Sequence, residues 1–262
     1  MGQTLLTLAK HLQRWALLAA TACLAAVWIV GCAAGQTGGE DHDYRVLLIG
    51  NSHSSRGGLP ERLQALLAAD GADRSAYVRS LGHWAFLADR LNDNVTQEAL
   101  ESGGWTHVIL QAQKYSTSGR YTYPTAAAEE WIRRIRARGA VPILFPEWAR
   151  RDHPEETLRI LRLHLGIASR EPACVAAVGL AWDAVRQRDP AIQLHASDGN
   201  HANRRGALLT AYVLYNAITG KPPDELDFIE TRGIPADSQG VLRSAAGEAT
   251  RAMPGCQPDS AS

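Results

Sequence analysis

Tyr44-Arg-Val-Leu-Leu-Ile-Gly-Asn-Ser-His-Ser54 decides how this 262-residue chain is read. An apolar run of strand length ends in Gly50, which permits a sharp turn, and Asn51 and Ser52 follow at once. That places a hydroxyl where a buried strand spills into a loop. In open α/β sheets ligands bind at this carboxyl edge, so Ser52 is a candidate nucleophile. A serine after a strand is more often a turn former or a helix cap, and the assignment therefore needs a histidine base with an acidic orienter elsewhere.

Upstream, residues 1–31 carry Lys10 and Arg14, no acidic residue, and an apolar run from Trp15 to Val30 that closes on Ile29-Val-Gly-Cys32. This reads as a secretory signal with a lipobox, removed to leave Cys32 as an acylated first residue. A retained anchor is the alternative, for which the run is short. Residues 32–43, rich in Gly, Ala and acid, read as a flexible tether. The expected location is the cell envelope, lipid-anchored and outside the cytoplasm. Cys174 and Cys256 are then left as a disulfide candidate in a compartment where such bonds persist. Of 27 basic and 27 acidic residues, loss of Lys10 and Arg14 leaves 25 against 27. Without a basic field, nucleic acid is not an expected partner.

Downstream, strands and helices alternate. Strands are expected at 44–49, 75–81, 105–110, 140–145 and 173–178, and helices at 59–69, 84–100, 125–138, 154–169, around 182–187, and at about 204–219 as the last long helix. This argues a three-layer α/β/α, flavodoxin-like sandwich on a five-stranded, mostly parallel sheet in order 2-1-3-4-5. The domain is expected over 44–250, with 251–262 as a tail.

Asp198-Gly-Asn-His201, just before the last long helix, supplies the partners that Ser52 needs. Its spacing lets a carboxylate on a tight turn reach Nδ1 of the imidazole, which leaves Nε2 to face the serine. His53 and His195 lie close to the same motifs. No His-x-His or His-Glu-x-x-His spacing occurs, so neither a metal nor another cofactor is expected. Tyr121, Glu147 and Trp148 are candidates to line a substrate groove, or else to close the mouth of the sheet.

Gly50-Asn51-Ser52, Gly82 and Asp198-Gly-Asn-His201 together resemble the SGNH hydrolase superfamily, the GDSL-type lipases and acylhydrolases, over essentially the whole folded part. Gln111-Ala-Gln113 stands where that family usually has Gly-x-Asn-Asp. The resemblance implies catalysis by Ser52, Asp198 and His201, with an oxyanion hole of the Ser52 amide, the Gly82 amide and the Gln113 side chain. Gln111 is the fallback for that hole, or a tie within the loop. The implied function is a cofactor-independent serine esterase, acting on small O-acyl groups such as acetyl on carbohydrate or other envelope esters. A non-catalytic envelope lipoprotein that binds glycan or protein, and an O-acyltransferase, are the alternatives.

Overall fold

The computed structural model describes residues 42–253, apart from 83, 228, 230 and 232. The signal segment 1–31, Cys32 and Cys256 lie outside the described residues. Cys174 is disulfide-bonded. No helix among the described residues is long and apolar enough to cross a membrane.

Five strands form one sheet in the order β2-β1-β3-β4-β5, as expected: β1 (Tyr44–Ile49), β2 (Ala76–Leu81), β3 (His107–Leu110), β4 (Val141–Leu144) and β5 (Cys174–Val175). Every neighbouring pair is parallel. From Val46 to Ile49 β1 is continuous in apolar residues because both of its faces are covered there. Val46 and Leu48 pack into one core with α2 (Leu59–Ala68), α7 (Val178–Arg188), α8 (Arg204–Thr219) and α9 (Ala236–Ala252). Leu47 and Ile49 point the other way, as the two-residue period of a strand requires. They meet α3 (Leu87–Arg90), α4 (Asn94–Glu101), α5 (Ala126–Arg136) and α6 (Glu156–Arg170).

Four boundaries depart from the sequence reading. The tether does not reach 43: the Asp43 carboxylate accepts from Arg74 at 2.6 Å and from the Ser75 amide at 2.9 Å, tying the entry of β1 to that of β2. The irregular helix expected at 84–100 is two short ones, because Asp93 caps α4 by accepting from the Val95 amide. β5 stops at Val175, and the rest of the apolar run passes directly into α7. Lastly, α9 follows α8 and crosses the expected domain end at 250. Its buried Leu242, Ala245, Ala246 and Ala249 are spaced as one helical face, but Gly240 and Gly247 interrupt the pattern. Gly247 has a packing reason, since a Cβ there would lie 2.2 Å from an Asp224 carboxylate oxygen.

Candidate active site

β1 leads directly to Ser52, the candidate nucleophile. Asn51 caps the four-residue α1 (Ser52–Ser55) through a side-chain oxygen that accepts from the His53 amide. The Ser52 hydroxyl then stands 2.8 Å from Nε2 of His201. Nδ1 of that ring is 2.6 Å from Oδ2 of Asp198. Oδ1 of the same carboxylate accepts from the Asn200 and His201 amides, each at 2.9 Å. The Asn200 amide first, then the His201 ring and amide, hold Asp198 well below the usual carboxylate range. An ionised carboxylate on Nδ1 requires the proton there, so Nε2 is left to accept from Ser52. The structure thus brings together three residues that are 149 positions apart at their extremes.

The Asp198–His201 turn is a small hairpin. His195 bridges to Ala202, the Ala196 amide donates to the His201 carbonyl at 2.7 Å, and Gly199 takes the left-handed φ of 69° that closes the turn. Aromatic rings brace it from below. Trp148, only 2 % exposed, donates from Nε1 to the Asn200 carbonyl at 2.8 Å and stacks on Trp182 at 4.2 Å. Trp148 therefore braces the turn that carries His201, and its burial does not suit the first of the two roles expected for it, lining a substrate groove. His195 Nε2 donates to the Ala149 carbonyl at 2.9 Å. Among the described residues no group of three or more His, Cys, Asp or Glu could hold a metal ion.

β2 delivers Gly82 against α1. The Ser55 hydroxyl donates to the Gly82 carbonyl at 3.2 Å, and a Cβ on Gly82 would lie 2.4 Å from that of Ser55. Only glycine fits so close an approach. The Ser52 and Gly82 amides carry no hydrogen bond among the described residues.

No family model and no curated protein matches this sequence. Solved structures do. A DUF4886 family protein from Bacteroides uniformis superposes with a TM-score of 0.69 at 18% identity, over 79% of this chain and 95% of that one. A putative SGNH hydrolase from Slackia heliotrinireducens gives 0.54 at 26% identity, over 66% and 97%. The psychrotrophic esterase EstA from Pseudoalteromonas gives 0.50 at 17% identity, over 68% and 98%. The fold is that of the SGNH hydrolase superfamily.

Within this SGNH fold the third block is arranged differently from the sequence expectation. Two residues apart on a strand, Gln111 and Gln113 would share a face. Ala112 sits between them at a φ of +76°, in the left-handed region, and breaks the alternation. Gln113 turns away: its Nε2 donates to the Lys114 carbonyl at 3.0 Å and the Pro124 carbonyl at 3.2 Å. Both amide hydrogens are engaged, so Gln113 closes the 114–124 loop and is not disposed as an oxyanion donor. Gln111, fully buried, accepts from the Asn51 amide at 2.8 Å and donates to Oε2 of Glu147 at 3.2 Å. It too is a tie, the other of the two roles expected for it.

Glu147 is drawn into the same network. Its carboxylate, 12% exposed, also faces Nδ1 of His53 at 3.3 Å. Tyr121 alone of the three groove candidates stands open, at 70% exposure, and Trp84 beyond β2 is 86% exposed. Trp84 was not singled out in the sequence, where it reads as the first residue of a helix. Its position two residues after Gly82 was the available signal.

Proposed function

We propose that this chain is a serine acylhydrolase of SGNH type that removes small O-acyl groups, acetyl foremost, from carbohydrate or similar esters of the cell envelope. The relay of Ser52, His201 and Asp198 carries the reading. As His201 Nε2 accepts the Ser52 proton, Oγ bonds to the ester carbonyl carbon and the π pair moves onto oxygen. The amides of Ser52 and Gly82 hold that oxyanion. Collapse expels the alcohol, which takes the proton from Nε2 and leaves an acyl-serine. Nε2 then deprotonates a water, whose oxygen attacks the acyl carbon. A second collapse returns the proton to Ser52 and releases the acid. Asp198 stays ionised throughout and stabilises the imidazolium.

The exposed rings of Trp84 and Tyr121 support the carbohydrate part. Both stand on loops leaving the carboxyl edge of the sheet, where an aromatic face can meet the apolar face of a sugar. Membrane attachment through Cys32 belongs to the same proposal and rests on the lipobox.

The test is a panel of p-nitrophenyl esters of rising chain length and acetylated sugars, run with wild type, Ser52→Ala and Trp84→Ala. Turnover of the short esters that vanishes in Ser52→Ala is expected, as is a higher KM of Trp84→Ala for acetylated sugars alone. Wild-type turnover in Ser52→Ala would overturn the mechanism. Acyl groups recovered on added sugar instead of water would make the enzyme a transferase.

A further inference from the structure

Resting on that serine mechanism, we infer that the buried guanidinium of Arg90 is a positioning residue for the oxyanion hole. Arg90, at the end of α3, is fully buried. Its Nη2 donates to two backbone carbonyls, those of Gly50 and Leu81. The first directly follows β1, two residues before Ser52, and the second ends β2, immediately before Gly82.

The Leu81 carbonyl belongs to the peptide unit whose N–H is that of Gly82. A peptide is planar, and no peptide among the described residues is cis, so this N–H points opposite to the carbonyl. Holding the carbonyl inward on Arg90 therefore turns the Gly82 N–H outward. The cation also polarises the same peptide and makes the amide a stronger donor. Ser52 is served in parallel. The carbonyl sharing its peptide unit is that of Asn51, which accepts from the buried Ser54 hydroxyl at 2.8 Å and the Ser54 amide at 3.1 Å. Each proposed donor is thus set from behind, through the carbonyl of its own peptide.

Arg90 is itself aimed. Nη1 donates to the Thr96 hydroxyl at 3.0 Å, and that hydroxyl donates to Asp93 at 2.5 Å. The Asp93 carboxylate lies 3.8 Å from the guanidinium as its counter-charge. A lysine keeps the charge but offers no planar fork to span both carbonyls.

The experiment compares Arg90→Lys, Arg90→Met and Thr96→Val with wild type in the full chain, using p-nitrophenyl acetate and a boronic acid that forms a tetrahedral adduct on Ser52. Each Arg90 variant is expected to lose about 10- to 100-fold in kcat, part of the loss seen when an oxyanion donor is removed outright, with KM within about threefold. Boronate affinity should fall in step with kcat/KM. Thr96→Val should show the same split on a smaller scale in a folded protein, which covers the outcome that Arg90→Met does not fold. Selective 15N-glycine labelling reads the device without turnover: Arg90→Lys should move the Gly82 amide resonance and leave those of Gly139 and Gly166 in place. An unmoved Gly82 resonance, unchanged boronate affinity, or a loss confined to KM would overturn the inference. If Ser52→Ala keeps wild-type activity, it is the underlying serine mechanism that fails, and the Gly82 resonance still decides the placement.

Discussion

The imidazole of His53 is stacked on that of His201, with ring centroids 4.7 Å apart and planes 28° from parallel. His53 is clamped at both nitrogens. Nδ1 faces Glu147 Oε2 and Asn51 Oδ1, each at 3.3 Å, and Nε2 faces Asn200 Oδ1 at 3.4 Å. Its flat face is therefore a fixed wall against which the base is set. His53→Phe keeps the wall and should hold kcat within about threefold, while His53→Ala should lower it by about 10- to 100-fold, the scale on which slight misplacement of a catalytic group is felt. Steady-state kinetics on p-nitrophenyl acetate check both, and an Ala variant at wild-type rate would remove the wall from the account.

The relay predicts a non-additive series. Ser52→Ala, His201→Ala and the double variant should lose nearly the same activity, because either single change disables the unit. Asp198→Ala should retain more, since the carboxylate orients the ring and is 41% exposed to water that can partly replace it. Rates measured at enzyme concentrations high enough to see residual turnover would show whether the order holds.

In the third block, Gln113→Ala should cost about 1–3 kcal/mol of stability through two unpaired carbonyls and leave kcat on small esters within about threefold. Gln111→Glu should destabilise more, by placing a second carboxylate where an amide now meets Glu147 at 3.2 Å. Thermal melts beside kinetics separate the two. A hundredfold kcat loss in Gln113→Ala with an unchanged melt would return that side chain to the oxyanion hole.

Stability should also fall in mild acid. Burial lowers His164 from its ordinary 6.5 to about 4, with Nδ1 donating to the Ile160 carbonyl at 2.8 Å. Above pH 6.5 the residue is neutral whether folded or not and adds no pH dependence. Between 6.5 and about 4 the unfolded chain binds a proton that the folded one refuses, so stability declines, by on the order of 3 kcal/mol in total for this group. His107, lowered by burial to about 4, adds to the same window. His164→Leu should flatten that decline without changing ester turnover. Denaturant melts at pH 7.5, 5.5 and 4.5 give the comparison, and an unaltered slope in the variant would place the titration elsewhere.

Most of the sheet was legible because a strand segment covered on both faces must be apolar, and Val46–Ile49 of β1 and Val108–Leu110 of β3 are. The Asp198–His201 pairing was legible because three residues on one turn leave the carboxylate little else to reach. Gln113 was misjudged for a conformational reason. Strand alternation assigns it a side, and nothing in Gln-Ala-Gln announces that alanine, which disfavours positive φ, adopts it at 112. Arg90 was missed because its role is addressed to carbonyls, which every residue has. α9 was missed because a glycine that packing requires looks, in sequence, like a helix breaker.

The separation of Ser52 from His201 along the chain bears on when this molecule becomes reactive. β1 is synthesised early and lies inside the sheet between β2 and β3, yet the Ser52 hydroxyl that follows it has no base until the hairpin before α8 has been made and has docked, 149 residues later. Contacts of that span are the slow ones to form. A nascent or half-folded chain therefore carries an inert serine. In a refolding time course, the return of ester turnover would mark the arrival of the last-assembled part of the site, after the sheet's own optical signal has recovered.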